Sequence, residues 1–148
     1  MIEVEVEVIG SEMDSNSPVV ILSSKDDSGI LPMKIDASQA VAIFVGMEDK
    51  ELPRPLTHDL MADILEKCNL KILQVDIVDL TEGTYFAEIK IKQNDEIKKI
   101  DSRPSDAIAL ALRKDVPIYL AEEIAEENFI YGDPYEFVEP YEFKIREI

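Results

Sequence analysis

The sequence lacks most of the features that would tie a protein to a disulfide or a membrane. It contains one cysteine, Cys68, so no disulfide can form within the chain, and a reducing compartment is favoured. No stretch reaches the roughly 18 consecutive apolar residues that would span a bilayer, and the N-terminus has no basic segment ahead of an apolar one. The sequence therefore predicts a cytoplasmic protein that does not enter a membrane.

Positive charge is also scarce. Fifteen lysines and arginines face 32 aspartates and glutamates, which gives a formal net charge of −17. A field of this sign repels polyanions, so nucleic acid as a partner is opposed by the net charge and would need a local exception. Hydrophobic residues nevertheless make up 46% of the 148 residues, which excludes a disordered acidic chain and indicates a globular domain.

Two runs of predicted elements follow one another in the same order, three strands and then an apolar helix. The strands are predicted at 3–9, 18–24 and 29–36 and again at 70–80, 84–93 and 96–102, and the helices at 37–49, with Ser38 as N-cap, and at 104–114. One such unit leaves its helix half exposed, so two units packed helix to helix would bury more apolar surface. The sequence predicts an α+β fold of duplicated β-β-β-α units, with mixed sheets packed against buried helices. The repeats span about 1–49 and 70–115 of a single domain at 1–130.

A further, amphipathic helix is predicted between the two repeats. Its apolar stripe indicates that it covers a sheet, with Cys68 on the buried side, where a thiol behaves as a small hydrophobe. Asp59, Asp63 and Glu66 lie on the other side. They are either an acidic, solvated face close to a helix N-terminus or ligands for a divalent ion. The stripe consists of Leu60, Met61, Ile64, Leu65 and Cys68.

Arginine precedes proline at the start of two predicted helices, in RPLTHD from Arg54 and in RPSD from Arg103. Proline suits a first turn, Thr57 or Ser105 can cap free N–H groups, and the acid that follows complements the helix dipole. The arginines oppose that dipole unless they have a partner. Two alternatives are open: each arginine forms an ion pair with a nearby acid, or both join the helix N-termini in holding a phosphate.

The one histidine of the chain, His58, lies in the first turn of the middle helix. Imidazole exchanges protons near neutral pH, so His58 can serve as a general base or a metal ligand. Its neighbour Asp59 cannot orient it, because adjacent helical residues point about 100° apart. An orienting carboxylate must therefore come from another part of the fold. The alternative is that His58 is a capping or packing residue.

Two long motifs resemble those of a known family. RPLTHDLM (54–61) and IDSRPSDAIALALRKDVPIYLAEEI (100–124), together with LPMKID (31–36) and GTYFAEI (83–89), are similar in content and order to the bifunctional nuclease domain family of bacteria, archaea and plants. The resemblance covers roughly residues 1–130. It implies a compact α+β domain that is usually oligomeric, with a homodimer favoured, and it implies DNase and RNase activity as in plant members.

On this resemblance the sequence predicts a nuclease that hydrolyses DNA or RNA phosphodiester bonds with a divalent ion, Mg²⁺ or Mn²⁺, and no organic cofactor. The alternative is a non-catalytic, oligomeric binding or regulatory module in which the two arginine-proline turns are structural. The candidate residues occupy the polar positions of the motifs. They are His58, Arg54, Arg103 and Asp106 for catalysis, Thr57, Ser105, Arg54 and Arg103 for substrate binding, and Asp59, Asp101 and Asp106 for the metal.

The chain ends in an acidic, aromatic extension at 131–148, after a short acidic helix predicted at 121–129. Pro-Tyr-Glu-Phe occurs twice in it, and two prolines six residues apart are incompatible with a continuous helix. Four aromatic side chains are costly to expose together, so the extension is expected to lie on its own domain or on a neighbouring subunit. The alternative is a docking peptide for a partner.

Overall fold

The structure, a computed structural model, describes residues 1–49 and 51–143. Its elements follow the predicted order. None of the helices in these ranges has the length and apolar character that crossing a membrane requires. The elements are strands β1 (Ile2–Ser11), β2 (Pro18–Ser24) and β3 (Ile30–Lys34), helices α1 (Ala37–Glu48) and α2 (Thr57–Lys67), strands β4 (Lys71–Thr81), β5 (Thr84–Gln93) and β6 (Glu96–Ser102), helix α3 (Pro104–Lys114), strand β7 (Ile118–Leu120), helix α4 (Glu122–Asn128), a 3-10 turn (Pro134–Glu136) and strand β8 (Glu139–Pro140).

The eight strands of the described ranges form one mixed sheet. The strand order is β3-β2-β1-β7-β4-β5-β6, and β8 pairs with the end of β1. β7 runs parallel to β4 and antiparallel to β1, so this short strand joins the two predicted halves of the sheet. The α+β class is confirmed, with a single sheet in place of the several that the sequence suggested.

Helices α1 and α3 pack against each other on one face of this sheet. Small side chains allow the close approach, because Ala40, Ala107 and Ala109 are fully buried where the two helices meet the core. Gly46 extends the contact, since a Cβ at this position would lie 3.0 Å from the Cβ of Leu112. Glycine in a helix interior costs stability relative to alanine, and the close packing accounts for its presence here.

The helix caps differ from those predicted. Helix α1 begins after Asp36, whose carboxylate accepts hydrogen bonds from the Gln39 N–H and the Ser38 hydroxyl, both at 2.8 Å, so Ser38 is not the N-cap. Helices α2 and α3 begin after Leu56 and Arg103, and neither has a side-chain cap within the described part of the chain. The threonine and serine expected to cap them lie inside the first turn instead.

Helix α2 packs mainly on α3. Leu60 and Ile64 are half exposed, and Cys68 at the end of the helix is exposed as well. Within α2, all of which is described, Ala62 alone is buried. The prediction that the apolar stripe and Cys68 are buried against a sheet is wrong, because α1 and α3 already occupy that face.

Arg113 connects all three of these helices. From α3, its Nε donates to Oδ1 of Asp59 on α2 at 2.6 Å, and its Nη1 donates to the carbonyls of Ala42 on α1 and Ala109 on α3, each at 2.9 Å. The side chain is 7% exposed, and its Nη2 has no partner among the described residues. Asp59 also accepts from the Leu56 N–H at 2.9 Å, so one carboxylate both receives the arginine and closes the first turn of α2.

The C-terminal extension lies on its own domain as far as it is described. Strand β8 pairs with the end of β1, and Val138 is buried in a small second core on the face of the sheet away from α1 and α3. Further on, the ring of Phe143 contacts that of Phe44 on α1, with centroids 4.4 Å apart. Residues 144–148 of the predicted extension lie outside the described residues.

Replacing Arg113 with alanine is expected to lower the free energy of unfolding by about 3 kcal/mol, because it leaves the partly buried Asp59 without its cation. The measurement is urea unfolding followed by circular dichroism. Arg54→Ala is the matched control, since Arg54 is exposed and makes no ion pair with any residue that the structure describes. Its expected change lies within about 0.5 kcal/mol. Equal losses in the two variants would contradict the central role of Arg113.

Candidate active site

The N-terminal ends of α1, α2 and α3 open onto one cavity of about 910 Å³. Strands β5 and β6 contribute to its wall through Ile89 and Ile100. Because each helix presents the positive end of its dipole, the cavity gathers partial positive charge in a strongly acidic protein. The polar lining comprises Ser38 and Gln39 from α1, Thr57 and His58 from α2, and Asp101, Ser102, Arg103, Ser105 and Asp106 from the β6–α3 junction.

Asp106 is the centre of the polar network. Its Oδ1 lies 2.8 Å from Nε2 of His58, which comes from α2. Arg103 donates from Nε to Oδ2 of Asp106 at 2.8 Å and from Nη2 to Oδ1 at 3.2 Å. Asp106 is thus the carboxylate from elsewhere in the fold that His58 requires for orientation. The same contacts give Arg103 an ion pair within its own turn.

The protonation state of this network follows from its contacts. Burial raises the pKa of Asp106, but the hydrogen bonds from Arg103 and His58 and the charge of Arg103 outweigh burial, so the pKa lies below its ordinary value. As a carboxylate, Asp106 can only accept, and His58 must donate to it through Nε2. The neutral imidazole then has its lone pair on Nδ1. No described residue donates a hydrogen bond to that atom.

Ser105 carries a buried hydroxyl without a partner. The residue is 6% exposed and lines the cavity, and its Oγ makes no hydrogen bond with any described residue. An unsatisfied buried hydroxyl costs about 1–3 kcal/mol, so it marks a position where a ligand would complete the structure. The N–H groups of Ser105 and Asp106 lie in the same uncapped first turn of α3. Together they form a place for an anion.

The N-termini of the three helices differ in whether their backbone N–H groups already have hydrogen-bond partners. At α1 the carboxylate of Asp36 occupies the N-terminus, and its hydrogen bonds with Gln39 and Ser38 lower the pKa of this group despite some burial. At α2 the carboxylate of Asp59 accepts the Leu56 N–H at 2.9 Å, whereas at α3 no side-chain oxygen in the described ranges takes the N–H groups of the first turn. An anion in the cavity therefore has one N-terminus without a carboxylate partner on its N–H groups, that of α3, which begins at Pro104.

The structure does not bring together every predicted site residue. Thr57, His58, Arg103, Ser105 and Asp106 line the cavity. Arg54 is exposed, lies outside the cavity lining and forms no ion pair within the described ranges. Of the two arginines, Arg103 lines the cavity and Arg54 does not. Asp101 lines the cavity but is exposed on β6, where it lies opposite Glu88 of β5 in the strand register.

The predicted metal ligands do not form a metal-binding set. Asp59 and Asp106 are each bound to an arginine, which leaves little negative charge for a cation. Within residues 1–49 and 51–143, no group of three or more His, Cys, Asp and Glu side chains is placed to hold an ion. The residues present do not fit a bound Mg²⁺ or Mn²⁺, and the chemistry proposed for the site uses the side chains of the chain itself.

Sequence analysis missed two parts of the site. Arg113 holds the first turn of α2 in place, yet its position in the last turn of α3 is explained by the helix dipole alone. Met61 and Ile100 line the cavity, whereas helical and strand periodicity assign such residues to a core. Neither role has a local signal, because both depend on how α2 packs against α3 and β6.

Lowering the pH is expected to remove the stabilisation that Asp106 provides. Because the folded-state pKa of Asp106 is below its ordinary value, this stabilisation is present above the ordinary pKa and is lost as the pH falls through the lowered one. Asp106→Ala should therefore unfold about 1 kcal/mol more easily than wild type at about pH 7, with the gap closing as the pH falls from the ordinary pKa of an aspartate through the lowered one. Urea unfolding across this range measures it. A gap that stays constant with pH would contradict the assigned network.

The chain is similar to known proteins over most of its length. The family model described as "Bifunctional nuclease domain" matches residues 20–132. An uncharacterised protein of Mycobacterium tuberculosis is 41% identical over 122 residues, which cover 81% of this chain and 73% of that protein. Bifunctional nuclease 1 of Oryza sativa subsp. japonica is 26% identical over 113 residues, 74% of this chain and 34% of that protein. Bifunctional nuclease 2 of Arabidopsis thaliana is 26% identical over 122 residues, 78% of this chain and 37% of that protein.

These matches agree with the motif resemblance. The plant matches span little more than a third of the plant proteins, whereas the mycobacterial match extends over most of both chains. The matched segment includes α1, α2 and α3 and every residue of the polar network at the cavity. Since the family model matches well over half of the chain, the chain belongs to the bifunctional nuclease domain family.

Proposed function

We propose that the protein is a nuclease that hydrolyses phosphodiester bonds of DNA or RNA in the cavity between α2 and α3. The observation that carries the proposal is the contact between His58 and Asp106, 2.8 Å, beside the uncapped N-terminus of α3. A histidine oriented by a carboxylate next to an anion site is an arrangement suited to proton transfer at a phosphate. Membership of the bifunctional nuclease domain family supports the reaction class.

The scissile phosphate would bind at the start of α3. There the N–H groups of Ser105 and Asp106 and the Ser105 hydroxyl offer three donors to its oxygens. Arg103 uses Nε and Nη2 for Asp106, so its Nη1 remains available for the phosphate. These donors supply the local exception that a nucleic-acid substrate needs in a protein with a net charge of −17.

The proposed chemistry is the attack of a water molecule on phosphorus. Nδ1 of His58 accepts a proton from the water while the new P–O bond forms, and the bond from phosphorus to the leaving oxygen breaks. The proton then passes from the imidazolium to the leaving oxygen, so the net reaction adds water across one P–O bond. Asp106 keeps the imidazole oriented and stabilises its positive charge in between. Arg103 and the α3 N-terminus stabilise the extra negative charge on the phosphoryl oxygens.

His58→Ala and Arg103→Ala are each expected to lower the rate of cleavage by about 100-fold or more, because they remove the proton acceptor and a donor to the phosphate. Arg54→Ala is the matched control and should stay within about twofold, since this arginine is surface exposed like Arg103 but lies outside the cavity lining. The assay measures initial rates on labelled single-stranded DNA and RNA with Mg²⁺, Mn²⁺ or EDTA.

Cleavage that survives in both cavity variants, or that Arg54→Ala reduces equally, would show that the reaction occurs elsewhere. Absence of cleavage under every condition would favour the alternative of a non-catalytic binding module. One observation supports that alternative: Leu60 and Ile64 are half exposed on α2, and exposed apolar groups of this kind are typical of contacts between proteins. An oligomer interface on this side of α2 would bury them.

A further inference from the structure

The cavity is larger and more apolar than a phosphate requires. Its volume of about 910 Å³ is that of a pocket for a whole small organic ligand. The free N–H groups and the unpaired Ser105 hydroxyl lie at the start of α3. The remaining wall is largely hydrocarbon, so the complementary ligand is anionic at one end and apolar at the other. The apolar residues are Val41, Ala42, Leu56, Met61, Ile89 and Ile100.

Two of these apolar side chains are open to solvent in spite of lining a cavity. Met61 is 37% exposed and Ile100 is 47% exposed. Ile89 pairs directly with Ile100 across β5 and β6 and is itself buried, so it forms the base of this wall. Thioether and branched aliphatic side chains give good contact to a flat ring. A ligand with a planar apolar face would bury the surface that Met61 and Ile100 expose.

The cavity lies beside the edge of the sheet, because β6 is the terminal strand of the described sheet. The register of β5 and β6 places Ile100 with Ile89 on the helix-covered face, whereas Ile97 pairs with Lys92 on the opposite face. Strand β6 therefore presents one isoleucine to the cavity and one away from it. A chain that passes along this edge can reach the cavity without crossing the sheet.

We infer that the cavity takes one unpaired nucleotide, with its phosphate at the start of α3 and its base against Met61 and Ile100. The substrate is accordingly single-stranded nucleic acid or an unpaired segment. A base within a duplex has its faces covered by its neighbours and cannot offer one to the wall, whereas an unpaired base stacks on protein side chains. The position given to the phosphate rests on the proposed function, and the position given to the base rests on the apolar wall.

The charge of the protein agrees with recognition of one nucleotide and not of a long stretch. Asp101 lines the same cavity, and the net charge of −17 leaves little attraction for phosphates away from α3. Single-strand binding falls with salt by a slope of roughly −0.7 per phosphate neutralised, in a plot of log K against log salt concentration. The expected slope is therefore close to that for a single phosphate.

The test measures binding of a short fluorescent single-stranded DNA by anisotropy in a His58→Ala background, which keeps the probe intact. Two matched pairs of neutral substitutions separate the wall from the general surface. Met61→Gln is paired with Ile64→Gln on the same helix, since Ile64 is also exposed but lies outside the cavity. Ile100→Thr is paired with Ile97→Thr on the same strand, since Ile97 faces the other way. The two wall variants should weaken binding about tenfold and the two controls less than about twofold.

A probe with abasic sites distinguishes contact with a base from damage to the fold. The abasic probe should bind the His58→Ala protein about as weakly as the normal probe binds the wall variants in that background. The wall substitutions should weaken binding of the abasic probe no further. A covalently closed duplex should also bind about tenfold more weakly than the single strand. Equal binding of the duplex, full binding of the abasic probe, or no binding of any probe would overturn the inference.

Cleavage of the same single strand by the protein with His58 intact separates this inference from the proposed function. Base-dependent binding without cleavage supports the nucleotide site and overturns the nuclease proposal. A second outcome is that Met61→Gln and Ile100→Thr change neither cleavage nor binding of the single strand. This outcome supports the nuclease proposal and overturns the site for a base.

Discussion

The first turn of α2 is held to α3 at two points, and the arrangement of the site depends on this clasp. His58 reaches Asp106 in the first turn of α3, and its neighbour Asp59 reaches Arg113 in the last. Asp106 and Arg113 are seven residues apart, two helical turns, and so lie on the same side of α3. Because adjacent helical side chains diverge by about 100°, one short segment of α2 can span both contacts. The clasp places His58 at the cavity even though most of α2 remains exposed.

Local dipoles, and not net charge, decide what the cavity can bind. Asp36 caps α1 and Asp59 takes an N–H at the start of α2, whereas α3 leaves its first turn free and Ser105 has a buried hydroxyl with no partner among the described residues. Arg103 is held by Asp106, so the guanidinium is positioned in advance and part of its charge is neutralised. A free helix N-terminus favours a local anion even within a protein whose field opposes polyanions.

Sequence patterns were informative where the chemistry is local. The bounds 84–93, 96–102 and 104–114 agree with the structure, because alternation defines the strands and proline at the first helical position defines the start of α3. The pattern of α2 established that one side is apolar, but not that α3 would stand between it and the sheet. The pairing of His58 with Asp106, 48 residues away, likewise depends on the helix packing. Residue type nominated Asp59 as a metal ligand, whereas tertiary structure gave it an arginine.

Strand β7 determines whether the strands form one sheet or two. Strands β1 and β4 do not pair with each other, and Ile118–Leu120 pairs with both. The six strands that precede β7 therefore have their native pairings within two groups, β1 to β3 and β4 to β6, and the inner edges of these groups are covered only by β7. Three residues near the end of the domain thus carry the backbone pairing that makes the two groups one sheet. A single sheet requires these long-range contacts, because neither group pairs directly with the other.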